Sequence, residues 1–330
     1  MRLRLAVIVS IVGIVWLLVR CSDSPQPEPA AGLEEPAGQL LVNQGPDSVI
    51  VELDLASGAA RQVSAAGELA ASARWSPDGR QIAMAQQVFR RIRVVIVDAD
   101  GTPVSAVDAP IDVDESVPSW SPDCRSLAVG RFSDQSASAW IASLDGGASQ
   151  SLGAPDHVSG LDWSAATDRI AMYRLGQPYG SLGDESSEAP VALDEPDRVG
   201  ILTMEADGSD LQVMAGTEPG DEWPRWSPDG SLVAFDREVN GVRQVFVVDD
   251  RGNVEQLTNG AEDARLPIWS PDGEWLAYSS GEAATDDGVV ALIRADGSDE
   301  RVLSTRGTPT DWGPHGGSCP QIGALGRSLP

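Results

Sequence analysis

Short runs of alternating or continuous apolar residues, each stopped by Gly, Pro, Asp or Ser, recur along most of this chain. The stretch after Trp226 is representative. Trp226 closes one run, Ser227-Pro228-Asp229-Gly230 turns the chain, and Ser231 to Phe235 returns. Val242 to Val248 follows, then a turn at Asp249-Asp250-Arg251-Gly252, then Val254 to Thr258. β-Branched and aromatic runs bounded in this way predict antiparallel strands joined by hairpins. Ser-Pro-Asp-Gly suits a type I turn, because proline pre-sets φ at the second position and glycine accepts the left-handed position that ends it.

The same unit returns. Trp75, Trp120, Trp163, Trp226, Trp269 and Trp312 lie 45, 43, 63, 43 and 43 residues apart. A period in the forties predicts one four-stranded unit copied around a ring, with the indole filling the wedge between neighbouring sheets. The second turn recurs as Asp98-Ala99-Asp100-Gly101, Leu144-Asp145-Gly146-Gly147, Glu205-Ala206-Asp207-Gly208 and Arg294-Ala295-Asp296-Gly297. A weaker copy, Asp54 to Gly58, precedes the first tryptophan, so the chain starts inside a unit that lacks its innermost strand. The run ending at Trp312 has no strands after it and supplies the missing one. The expectation is an all-β fold: a six-bladed β-propeller with four-stranded blades over residues 39–315, closed by a C-terminal strand in the first blade. Closure leaves only short, protected edges.

Trp-Ser-Pro-Asp-Gly followed by strands such as Gln81-Ile82-Ala83-Met84 or Glu274-Trp275-Leu276-Ala277-Tyr278 resembles the WD40-like propeller repeat of the TolB family. Three full copies and three degraded ones carry the resemblance over roughly residues 40–315. It implies an exported propeller that works by binding. In that family a separate α/β domain precedes the propeller. Here only a short tether precedes the first strand.

The N-terminus reads as targeting. Arg2 and Arg4 precede an apolar run from Leu5 to Val19, the size of a signal-peptide core and short for a spanning helix. Cys21 follows at the place where a bacterial lipoprotein signal has its lipidated cysteine, although Arg20 stands where a small residue is usual. Residues 1–21 are therefore a signal peptide or a signal anchor, with Cys21 a lipidation candidate. Both readings put the body outside the cytoplasm and tie it to the membrane. Residues 22–38, rich in Ser, Pro, Glu, Ala and Gly, form a flexible linker, and residues 316–330 a C-terminal tail. In an exported chain Cys124 and Cys319 are free to form a disulfide. Cys124 replaces the glycine of a Ser-Pro-Asp-Gly turn and would have to adopt positive φ.

Charge changes the picture of partners. Fifty acids face 23 bases, a net charge of −27, and every base is arginine. Nucleic acid is excluded as a partner, because binding phosphate requires a basic surface. A protein or peptide partner of basic character is expected, with the propeller itself monomeric.

Sorting the acids by connection concentrates them. Loops leading into the tryptophan strands hold Asp114, Glu115, Glu218, Asp221, Glu222, Glu262 and Asp263. They are expected to crowd one mouth of the channel as an acidic rim for a cationic ligand, a basic peptide or a calcium ion. About twenty extra residues, 175–198, belong to one loop on that face, a place where repeat proteins often bind. The residues before the six tryptophans read Asp311, Arg74, Ser119, Asp162, Arg225 and Ile268 around the ring, so ion pairs between blades are expected. The chain has two histidines, His157 and His315, and no nucleophile elbow, zinc-protease motif or phosphate loop. No catalytic residue and no resident cofactor or metal is assigned. The favoured function is a non-enzymatic, membrane-tethered binding scaffold. The alternative is a propeller hydrolase or lyase acting on a sugar polymer with metal or carboxylates at the channel mouth.

Overall fold

The computed structural model describes residues 35–319 apart from 46–47, 66, 89–90, 111–112, 133–136, 156, 175–198, 282–287, 315 and 318. The targeting segment with Cys21, nearly all of the linker and the 175–198 insertion lie outside the described residues.

All regular structure among these residues is β. Strands β1 (Gln39–Gln44), β2 (Val49–Asp54) and β3 (Ala60–Gln62) come first. Blade 1 follows with β4 (Ala70–Trp75), β5 (Gln81–Val88), β6 (Arg91–Asp98) and β7 (Pro103–Ala106). Blade 2 has β8 (Asp114–Trp120), β9 (Ser126–Phe132), β10 (Ala137–Ser143) and β11 (Gln150–Ser151), and blade 3 has β12 (Val158–Trp163), β13 (Arg169–Arg174), β14 (Leu202–Glu205) and β15 (Gln212–Val213). Blade 4 is β16 (Glu222–Trp226), β17 (Leu232–Val239), β18 (Val242–Asp249) and β19 (Val254–Gln256). Blade 5 is β20 (Ala264–Trp269), β21 (Trp275–Ser280), β22 (Val289–Arg294) and β23 (Arg301–Arg306). The last strand, β24 (Thr308–Gly313), is the inner strand of blade 6, in the order β24-β1-β2-β3. It pairs antiparallel with β1, Leu40 opposite Trp312. The six-bladed, four-stranded architecture and its closure are as the repeat spacing predicts.

Each blade buries both faces, because a strand's alternate side chains meet opposite neighbours. Leu41 and Ile50 of blade 6 pack with Trp75, Ile82 and Met84 of blade 1. Leu40, Val42 and Leu53 pack the other way, with Trp312, Ile268 and Trp275. Trp120 and Trp269 sit likewise in the clusters joining blades 1 to 2 and 4 to 5.

The turns hold by local chemistry. Ser76 Oγ donates to Asp78 Oδ1 at 2.7 Å and accepts from Gln81 N at 3.0 Å, while Arg80 N donates to Asp78 Oδ1 at 3.1 Å. The turns at Ser121, Ser227 and Ser270 repeat the Ser–Asp bond. These aspartates are turn chemistry. Cys124 takes the turn's left-handed position, at φ 60°, and is bonded to Cys319, with 5.4 Å between the two Cα atoms.

Candidate functional site

Meandering blades place both kinds of hairpin turn on one face of the ring, the turn face, and the connections between blades on the other, the loop face. The inner strands line a channel between them. At its turn-face end the residues preceding the tryptophans form a closed set of contacts. Trp75 N donates to Asp311 Oδ2 at 2.7 Å, Trp163 N to Ser119 Oγ at 2.8 Å, and Trp226 N to Asp162 Oδ2 at 2.8 Å. The indole N–H groups of Trp120 and Trp269 donate to Arg74 O and Arg225 O, each at 3.0 Å. Arg74 lies 3.5 Å from Asp311 and 3.7 Å from Asp162. The spacing along the chain suggests Arg225 as the partner of Asp162. The structure gives Asp162 to Arg74 instead, across the ring, and a small cavity of about 110 Å³ remains among these groups.

The loop-face end is wider and built differently. Five of the inner strands, β4, β8, β12, β16 and β20, slip register near their start, and the β24–β1 pairing does the same. Bulges re-aim side chains, and here they line the channel. Trp223 and Leu266 stand at φ 56° and 57°, a conformation that costs a residue with a Cβ roughly 1 kcal/mol. In β12 the equivalent position is Gly160 at φ 60°, where a Cβ would come 2.5 Å from the Tyr173 ring. Tyr173 packs on Trp223 with ring centroids 5.4 Å apart, and burial pushes its phenol well above the usual range. The result is a cavity of about 390 Å³ walled by Ile92, Val117, Trp223, Leu266 and Pro309, with Glu115, Ser116, Tyr173 and Arg225 also on its lining. Arg225 lines the turn-face cavity as well, so it forms the waist of the channel.

The acids singled out from the sequence surround this end, and most are already matched by arginine. Asp114 accepts from Arg91 Nη1 at 3.2 Å and from Ile92 N at 2.9 Å. Glu115, 1% exposed, accepts from Arg131 Nε at 3.3 Å and Val94 N at 3.2 Å, and burial raises its pKa. Arg237 holds Asp221 through two bonds of 2.7 Å and lies 3.5 Å from Glu218. Arg243 joins Glu222 at 3.0 Å and Asp236 at 2.6 Å. Asp263 takes Arg265 and the backbone N–H of Arg243. Glu262 is exposed. The rim is therefore a lattice of carboxylates and guanidinium groups rather than a bare negative ring. The arginines of this lattice are the residues that a count of loop acids misses. Arg131, Arg237 and Arg243 sit at the loop-face ends of second and third strands, and that hairpin position was their readable signal. Among the described residues, the trio of potential metal ligands brought within reach of one another is Asp78, Cys124 and Cys319, and its two sulfurs are bonded to each other.

No known protein-family signature matches the chain. A curated relative, an uncharacterized protein of Agrobacterium fabrum named Atu1656, is 34% identical over 117 residues, 35% of this chain and 38% of that protein. Among solved structures, TolB from Acinetobacter baumannii superposes with a TM-score of 0.65 at 16% identity, covering 84% of this chain and 66% of that one. A provisionally named TolB from Agrobacterium tumefaciens gives 0.64 at 19% identity, covering 86% and 96%. The chain is a TolB-like six-bladed propeller in fold. An oligogalacturonate lyase solved with manganese superposes less well, with a TM-score of 0.53 at 13% identity, covering 78% of this chain and 70% of that one. Likeness at this level of identity shows the fold alone, and function has to be argued from the channel of this chain.

Proposed function

We propose that this chain is a non-enzymatic, extracytoplasmic propeller that receives a ligand or a segment of a partner protein in the loop-face mouth of its channel. Residues 1–21 hold it at the membrane, as a signal anchor or through lipid on Cys21. One observation carries the binding reading: the apolar collar around a cavity of about 390 Å³, with Trp223 and Leu266 kept in a left-handed conformation to face it. Backbone strain of that kind persists where a site needs it. The acid–arginine lattice rims the collar, and such a rim fixes orientation and selects partners more than it supplies affinity. Charge on both signs favours a partner segment that is itself mixed, with basic groups meeting Glu218 and Glu262.

Photo-crosslinking in the native envelope tests this reading. A benzoylphenylalanine replacing Leu266 should yield discrete crosslinked species. The same probe replacing Val302, 64% exposed on the outermost strand of blade 5, should not. Equal labelling from both positions, or none from Leu266, would count against the channel mouth as the docking site. Cys21→Ser separates the two modes of attachment: release of the chain from the membrane fraction indicates lipid, and retention indicates a signal anchor.

A further inference from the structure

We propose that the loop-face cavity takes an organic carboxylate, with the carboxylate on Arg225 and an apolar ring system against Trp223 and Leu266. This names the ligand chemistry for the mouth proposed above and rests on that reading. Arg225 is 6% exposed, at the waist of the channel. A guanidinium has five N–H donors. Here Nη1 donates to Pro224 O at 2.9 Å, while Nε is buried without an acceptor among the described residues.

The nearby acids do not bond Arg225 among the described residues: Glu115, on the same lining, accepts from Arg131 and Val94 N, and Asp162 and Asp311 act on Arg225 only through their charge. Asp162 and Asp311 each accept a tryptophan backbone N–H and each lie against Arg74. Burial first, and then the nearby charge of Arg74, pull the Arg225 pKa down to about 9, with the charges of Asp162 and Asp311 offsetting only part of that. A buried cation in that condition gains from an incoming anion. Ser116 Oγ, on the wall of the same cavity, is a second buried polar atom with no partner among the described residues. Two buried polar atoms without partners, on residues that line a cavity with an apolar collar, describe a ligand with one charged end. Pockets of this build fix orientation through a few polar groups and gain affinity from apolar walls.

The cavity of about 390 Å³ has room for a bicyclic aromatic body. A matched pair of probes tests the charge directly: 1-naphthylacetate and its neutral isostere 1-naphthylacetamide, titrated calorimetrically into the full chain in mild detergent. The acid should bind at least about tenfold tighter than the amide, as expected for a charge-assisted bond to a desolvated guanidinium. Arg225→Gln should bring that ratio close to one, Arg225→Lys should keep part of it, and Trp223→Ala should weaken acid and amide alike with the ratio unchanged. Equal affinity of acid and amide for the unaltered chain overturns the proposal, and so does the absence of binding by either. If crosslinking from position 266 persists in that case, the docking mouth stands and the carboxylate assignment falls. If both experiments fail, the mouth itself is not a site.

Discussion

Single carboxylates in this ring differ by what surrounds them, and Asp236 is the most exacting case. It is 1% exposed, accepts from Arg243 Nη1 at 2.6 Å, and accepts from Leu266 N at 3.0 Å. The second bond ties blade 4 to the bulge that presents Leu266 to the channel, so Asp236 is a positioning residue for the collar. Burial raises its pKa to about 6, against the bonds that lower it. The folded protein then holds a proton that the unfolded chain, with an ordinary value of about 3.9, releases earlier. Between about pH 4 and 6 the native state binds more protons, so this group's contribution to stability falls as pH rises through that window. The stability of the unaltered chain minus that of Asp236→Asn should decline from about pH 4 to 6 and level off above. A difference that is flat or rises over the same range would show that Asp236 is ionised throughout in the folded state. Arg225 runs on the same physics with opposite charge. Its burial was hinted at in the sequence, since it precedes a repeat tryptophan. That no carboxylate bonds it among the described residues was not, because Asp162 lies against Arg74 across the ring and reaches Arg225 only through its charge.

At the level of the element, the hairpins were the most legible part. Ser-Pro-Asp-Gly encodes its own geometry through bonds within six residues, so no tertiary information was needed to place it. The inner-strand bulges were less legible. The slip between Glu222 and Arg225 is marked only by Pro224, which cannot donate to the ladder, and a proline alone does not say which side chains the slip re-aims; the collar of the cavity follows from those slips. The rim was half legible: loop acids announce themselves, whereas the arginines that answer them lie in strands, where only their nearness to a hairpin singles them out. Turn glycines also differ in a way that the repeat conceals. Gly79 and Gly273 occupy equivalent turns at φ 68° and 74°. A Cβ on Gly79 would come 2.4 Å from the Pro314 side chain, whereas one on Gly273 meets nothing nearer than 3.6 Å. Both Gly→Ala changes pay about 1 kcal/mol for the left-handed backbone. Gly79→Ala should cost roughly 1–3 kcal/mol more, for the clash with a packed neighbour. Chemical denaturation of the two variants side by side gives the comparison. Equal losses would mean that the segment around Pro314 yields freely and does not pack on blade 1.

That segment matters most for the molecule as a whole, because it ties three blades together. β24 completes blade 6 beside β1. Beyond it, Gly313 abuts Trp75 of blade 1, Gly317 N donates to Pro77 O at 2.8 Å, and Cys319 ends at Cys124 of blade 2. The ring therefore has two fastenings, a strand and a covalent strap, and they act on different states. The strand supplies native hydrogen bonds and buries Trp312, which is 0% exposed. The disulfide, whose ends are 195 positions apart in the sequence, works chiefly by restricting the unfolded chain and should contribute about 2–4 kcal/mol. Removing it from either side is not equivalent. Cys319→Ser loses the strap and leaves Cys124 in its left-handed turn at φ 60°. Cys124→Gly loses the same strap but gives that turn the residue it favours, recovering roughly 1 kcal/mol. Equilibrium unfolding of both variants should therefore find Cys124→Gly the more stable, with reductant lowering the unaltered chain and neither variant. Identical stabilities for the two variants would mean that the turn at Cys124 carries no backbone cost. Insensitivity of the unaltered chain to reductant, together with two alkylatable thiols, would leave β24 as the sole fastening of the ring.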